Sequence, residues 1–355
     1  MSQSQIAYND NYPRKNKILN GEFIVAQRGT VFNFAPLSNP IFNYEYTLDR
    51  FIFTASNASG ERMPQTKVTQ ESFIQGSTGI PGEPRKYLRI NFIDAGASLT
   101  TNSCVVFDTL IDEYRSLFGQ IVTLSFYART SGLNRKIGLR VYLVDKDTAN
   151  NVKYIDILGK TVKTDTRGIN GWSRFVVTFQ IPSFSDNYNT AEKLMFQMMF
   201  QCGTTIGALW GTNATPAIAG ETIDITDLKL EAGNSATPIA RRNYLEELLE
   251  CQRYYWNVPD NYSITGYNEI NAGSGNAFFV AKFPVPMLKV PTVKASNKFY
   301  VHVATIEFGD KPYSGIRILT PENCHLIVNT GKPNLCTAEL RVLKSSGQHL
   351  SFSAE

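Results

Sequence analysis

The sequence predicts an all-β protein: a larger β-sandwich and a smaller one, separated by a single helix. Three observations predict it. Short segments with a hydrophobic period of two recur from Ile18 to the C-terminus, as strands with one buried face require. The composition suits pleated sheets, with 17 Tyr and 22 Phe among 355 residues and charged residues held to 19%. One stretch, 240–256, carries a helical period over more than two turns.

Residues 1–17 read as a docking arm, polar and ending in the basic run Arg14-Lys15-Asn16-Lys17. Strands are expected at 22–27, 51–54, 87–93 and 103–108, and a short helix at 108–118. In 121–127, Val122, Leu124 and Phe126 fall on one face, and in 137–144 Ile137, Leu139, Val141 and Leu143 do so. In 172–182, Phe175, Val177, Phe179 and Ile181 align before Pro182 ends the ladder. In 194–201, Leu194, Phe196, Met198 and Phe200 alternate with a mixed face holding Gln197 and Gln201. A strand at 221–230 completes about nine, enough for one sandwich. The stretches 55–85, 145–171 and 202–220 read as long polar loops, a length that usually signals a function.

In 240–256, Leu245, Leu248, Leu249, Gln252 and Tyr255 sit at i, i+3, i+4, i+7 and i+10, with Glu246, Glu247 and Glu250 opposite. Such a stripe packs either against its own domains or against symmetry mates, and the sequence leaves both open. Beyond it, strands are expected at 277–283, 299–306, 315–319, 325–328, 337–344 and 349–353.

Catalytic signatures are missing. His302, His325 and His349 lie at strand positions, and there is no HExxH, GxSxG, phosphate loop or dinucleotide fingerprint. The expectation is a protein that is not an enzyme, although a carboxylate pair brought together only in space stays open. A net charge of +4 with scattered basic residues gives no nucleic-acid footprint. No apolar run reaches the ~20 residues that span a bilayer, and the polar opening lacks the apolar centre of a secretory signal. Five cysteines form no CxxC pair and read as reduced, mostly buried thiols, with Cys324 and Cys336 able to pair.

Aromatic side chains point to a glycan ligand, whose C–H faces stack on Trp or Tyr while its hydroxyls need Asn, Gln, Asp or Arg nearby. Trp210, among small neighbours in the loop Gly207-Ala208-Leu209-Trp210-Gly211, is the expected platform, with Tyr188 beside Asn187 and Asn189 as a second candidate. Trp172 reads as the cap of a core edge. Tyr255, Trp256, Tyr262 and Tyr267 cluster with asparagines and suit a binding surface or a sealed junction equally.

Several segments, taken in order, carry a resemblance. ILNGEFIVAQRG (18–29), YTLDRF (46–51), GQIVTLSFYAR (119–129), GWSRFVVTFQIP (171–182) and ITDLKLEAGNSATPIARRNYLEELLECQRYYW (225–256) resemble the carbohydrate-binding-module-like jelly rolls of bacteriophage tail fibres. FPVPMLKVPTV (283–293) and LSFSAE (350–355) look like the terminal domains that follow such a helix. The resemblance implies a jelly-roll β-sandwich over 18–239, a linker helix over 240–256 and a smaller C-terminal β-sandwich over 257–355. It also implies a receptor-binding virion protein that is usually homotrimeric, and the stripe Leu245, Leu248, Leu249, Gln252 and Tyr255 is then the expected oligomer contact. Residues 1–17 would then meet other virion proteins, and the far end a host glycan or receptor. No cofactor is implied beyond a structural calcium, held in some cellular relatives by residues at the places of Asn20, Glu22 and Asp224. The absence of a shaft repeat favours a short fibre, a tip protein or a capsid-attached fibre over a long fibre.

Overall fold

The computed structural model describes residues 15–36, 42–97, 102–132, 135–146, 149, 151–164, 171–183, 192–211, 215–268, 275–303, 306–330 and 336–355. The chain divides into two compact units, with the boundary between Tyr244 and Leu245.

The first unit is a jelly-roll β-sandwich. Its described strands are β1 (Val31–Phe34), β2 (Phe42–Tyr46), β3 (Phe51–Ser56), β4 (Thr66–Ser72), β5 (Lys86–Phe92), β6 (Cys104–Leu110), β7 (Ile121–Thr130), β8 (Lys136–Lys146), β9 (Val152–Lys163), β10 (Ser173–Gln180), β11 (Lys193–Cys202) and β12 (Thr222–Ala232). They form two six-stranded sheets, ordered β1-β4-β5-β12-β7-β10 and β2-β3-β6-β11-β8-β9. The inward residues read from the alternation meet in one core. Val122, Leu124 and Phe126 come from the first sheet, and Leu139, Val141, Phe196 and Met198 from the second.

Four strands arise where loops or nothing were expected. β4 offers its core a single large apolar side chain, Val68. β1, β2 and β9 are the outer strands of their sheets, and β9 (VKYIDILGKTVK) has no fully buried residue. A hydrophobic period is strong only where one face is fully buried, so these strands are nearly silent in sequence. Conversely, 22–27 is not a strand. Asn20 (φ 55°) and Phe23 (φ 56°) turn the chain there, and the Asn20 amide clasps both the N–H and the carbonyl of Val25. A Cβ at Gly21 would lie 2.0 Å from the Leu228 carbonyl, so only glycine lets this turn lie on β12. The helix expected at 108–118 is instead the end of β6 and a 3₁₀ turn, Tyr114–Leu117.

Residues 1–14 of the expected arm lie outside the described residues. Its last three lie on the unit itself: Asn16 bonds the backbone of Leu228 and Leu230, and Lys15 and Lys17 both reach Glu113.

In the second unit, helix α2 (Tyr244–Gln252) follows the short helical turn α1 (Thr204–Gly207) of the first in chain order. α2 is shorter than the expected 240–256, because the chain turns at Arg253-Tyr254 and enters a strand. The strands are β13 (Tyr255–Asn257), β14 (Tyr262–Asn268), β15 (Asn276–Lys282), β16 (Thr292–Ala295), β17 (Lys298–Val303), β18 (Ile306–Leu319), β19 (Asn323–Asn329), β20 (Cys336–Val342) and β21 (Leu350–Ser353). The second β domain is therefore present, but its main sheet closes into a six-stranded barrel, β14-β15-β19-β18-β17-β20. Seven residues of β14 pair with β20, joining the first strand to the last, which a sandwich would leave apart. β13, β21 and β16 form a separate small sheet whose Trp256 and Phe352 stack at 5.5 Å.

Candidate functional site

The outer face of the second sheet gathers polar side chains that the alternation of the core face disregards. Register places Tyr46, Ile52, Asp108, Gln197 and Arg140 side by side across β2, β3, β6, β11 and β8. Tyr142 and Asp156 form the neighbouring row on β8 and β9. Central strands of a sandwich need apolar residues on one face only, so the other face is free to carry this chemistry.

The row is tightly wired. Thr54 Oγ1 donates to Asp108 Oδ2 at 2.6 Å. Arg140 donates from Nε to Asp156 Oδ1 at 2.6 Å and from Nη1 to Gln197 Oε1 at 3.3 Å. Its guanidinium lies 4.4 Å from the centre of the Tyr142 ring, a cation–π distance. Burial raises the Asp108 carboxyl to about 6, against the lowering pull of Thr54, Gln197 and Arg140. Burial also raises the Tyr142 hydroxyl, with Asp108 next. Asp108 Oδ1 is buried and receives no hydrogen bond.

Exposed aromatic rings stand at both edges of this face. Tyr154 on β9 is 61% exposed and meets Tyr142 edge-on at 5.7 Å. Tyr44 and Phe42 on β2, opposite Thr54 and Ser56, are 51% and 69% exposed. Six strands spaced ~4.8 Å apart make the face about 24 Å broad.

Trp210 is not the platform the sequence suggested. It is 2% exposed and packs with Cys104, Val106, Met199 and Cys202 on the same sheet. Two glycines make room for it. A Cβ at Gly138 would lie 2.8 Å from Trp210, and one at Gly159 would lie 2.4 Å from the Leu209 carbonyl. The small residues around Trp210 thus serve close packing, not access. Tyr188 lies outside the described residues. Trp172 does not cap the main core: it is buried in a small separate cluster with Ile80 and Tyr87, and the Arg129 guanidinium lies 4.8 Å from its ring.

Asn20, Glu22 and Asp224 do not form a calcium site, because each is committed elsewhere. Asp224 lies between the guanidiniums of Arg89 and Arg129, at 2.7 and 2.8 Å. Asn20 spends its amide on Val25 and Asp49. Glu22 does meet an aspartate of β12, but it is Asp227, and the positive charge between them is that of Arg241. Among the described residues, no three His, Cys, Asp or Glu gather as metal ligands.

The helical stripe is also redistributed. Leu245 and Leu249 are 62% and 43% exposed, and Leu248 is half-buried. Gln252 is buried, and Tyr255 belongs to β13, where it pairs with Ser353. Tyr255 leaves the stripe because α2 ends at Gln252. Cys324 is a buried thiol in the barrel core.

No protein-family profile matches the chain, and no curated protein does. Solved structures do resemble it. A candidate sugar-binding protein from Bacteroides thetaiotaomicron is 12% identical over 62% of this chain and all of that one, with a TM-score of 0.34. The CBM22-1 xylan-binding domain of a Paenibacillus barcinonensis protein is 9% identical over 52% of this chain and 87% of that one, at 0.26. The enzymatically active domain of bacteriophage CBA120 tailspike protein 4 is 10% identical over 61% of this chain and 21% of that one, at 0.31. The jelly-roll reading of the first unit rests on its own two six-stranded sheets. These likenesses concern architecture, and none identifies binding side chains.

Of the residues in the polar rows, Gln197 was visible in sequence as part of a mixed face. Asp108, Arg140 and Tyr142 interrupt apolar strands at alternate positions in the same way, and that is the signal that marks them.

Proposed function

We propose that this chain is a non-enzymatic attachment protein of a bacteriophage particle, a short tail fibre or receptor-binding protein. It holds a host-surface glycan on the outer face of the second sheet. The observation that carries the glycan reading is the row Asp108–Gln197–Arg140, bounded by the exposed rings of Tyr154 and Tyr44. A carboxyl, an amide and a guanidinium match sugar hydroxyls as acceptor and donor, and edge tyrosines offer stacking surfaces. The virion reading is supported by the order and spacing of the sequence motifs that resemble tail-fibre jelly rolls.

A glycan array with the wild type, Arg140→Ala and Tyr154→Ala tests the first reading. Binding by the wild type that falls at least tenfold in both variants supports it. No glycan bound, or binding that neither variant changes, overturns it. Cryo-electron microscopy of intact particles tests the second, since density for this chain must be found on the particle.

A further inference from the structure

Cys104 on β6 and Cys202 on β11 stand directly opposite one another in the antiparallel ladder of the second sheet. The Gly203 N–H donates to the Ser103 carbonyl at 2.9 Å, which makes Ser103 and Gly203 a hydrogen-bonded pair. The adjacent pair, Cys104 and Cys202, therefore occupies a non-hydrogen-bonded position. At such positions the Cα atoms lie ~4.5 Å apart and the side chains approach closely, within the ~4.4–6.8 Å that a disulfide requires. Both side chains point the same way, into the cluster of Val106, Met199 and Trp210. Both are thiols in the structure, and both are buried.

We propose that Cys104 and Cys202 form a latent cross-strand disulfide, held as two thiols under reducing conditions and closed by a small-molecule disulfide under oxidising ones. One thiolate attacks a sulfur of the oxidant, forms a mixed disulfide and expels one oxidant thiol. The second thiolate attacks the protein sulfur of that mixed disulfide and expels the other. Two protein thiols are oxidised, one oxidant disulfide is reduced to two thiols, and the two protons lost by the cysteines end on the departing thiolates. Burial, with Asp108 and Cys202 adding to it, pushes the Cys104 thiol up to about 12. The thiolate is scarce at neutral pH, so closure is slow, needs opening of the ladder end and accelerates as pH rises.

The bond would join residues 104 and 202, enclosing β7 to β10 in one covalent loop. It would staple the two strands that present Asp108 and Gln197, whichever ligand that face takes. The intact protein, incubated with oxidised glutathione at pH 8, then acid-quenched, denatured and alkylated with N-ethylmaleimide, tests the proposal by mass spectrometry. The reduced chain offers five thiols for alkylation. After oxidation, three thiols and a linked Cys104–Cys202 peptide are expected. The midpoint of thermal unfolding should rise by about 5–15 °C. Cys104→Ser and Cys202→Ser should each retain four thiols under the same treatment. Five thiols remaining in the wild type, a glutathione adduct without an internal link, or a link through another cysteine would overturn it. Peptide mapping of the wild type decides the outcome even if a serine variant fails to fold.

Discussion

Arg241 joins Glu22 and Asp227, donating to Glu22 Oε1 at 2.6 Å and from Nη2 to Asp227 Oδ2 at 2.7 Å. One guanidinium thereby ties the opening turn and the last strand of the jelly roll to the segment that leaves it. Both carboxylates are buried, and burial raises Asp227 while Arg241 pulls it down. Arg241→Met would leave two buried carboxylates without their shared cation. Breaking a buried pair costs ~3–5 kcal/mol, and the partial exposure of Arg241 lowers this to about 2–3. Thermal unfolding should shift down by about 5–10 °C. A shift under 1 °C would mean that the three charges are solvated, not structural.

Asp108 should make the first unit's stability depend on pH in an unusual direction. Its folded value, about 6, exceeds the ordinary carboxylate value of 3.8. The protonated form is therefore favoured by folding. Its contribution is full below about pH 4 and is lost as pH rises through 6. Asp108→Asn keeps the shape and cannot ionise, so it should gain stability over the wild type as pH rises from 4 to 7. Urea unfolding of both proteins across that range measures the difference. A constant difference at all pH values would refute the assignment.

The legibility of this chain follows burial. β7, β8, β10 and β11 announce themselves because one face is sealed in the core, as Leu124, Leu139, Val177 and Phe196 show. β9 does not, since Val152 and Tyr154 at its start are exposed. Barrel closure is invisible because the pairing of Tyr262 with Val342 is a relation in space between segments 80 residues apart. The binding face fares similarly. Trp210 drew attention for its chemistry and small neighbours, yet the glycines that bury it, Gly138 and Gly159, lie on strands far off in sequence. Arg140 and Asp108 are ordinary in isolation and gain meaning only when register sets them either side of Gln197.

Trp210 should behave as a packing residue. Trp210→Ala removes a large side chain from between β8, β11 and the turn above them, and such truncations cost about 3–5 kcal/mol. Its indole N–H is buried without an acceptor. Trp210→Phe therefore gives up no protein hydrogen bond and should recover more than half of that loss. Gly138→Ala drives a methyl into Met199 and Trp210, at 2.7 and 2.8 Å, and should cost about 1–3 kcal/mol. Denaturant midpoints rank the three. An alanine variant at 210 as stable as the wild type would restore the reading of Trp210 as an accessible ring.

We propose that the exposed face of α2 is a contact between copies of this chain. Leu245 and Leu249 stand one turn apart and are largely exposed, while Glu247 and Cys251 face inward. Two leucines held in water on one helical face lose ~1.5–3 kcal/mol each relative to burial. Three copies related by a cyclic axis would remove all six from solvent. Light scattering coupled to gel filtration should give three times the 39.7 kDa chain mass for the wild type. Leu245→Asp with Leu249→Asp should give one chain mass with unchanged secondary structure by circular dichroism. Leu248 is half-buried and is left intact, so that loss of assembly is not confused with loss of folding. A wild type that elutes as a single chain at micromolar concentration removes the trimer, and with it any place for this helix in a three-fold contact.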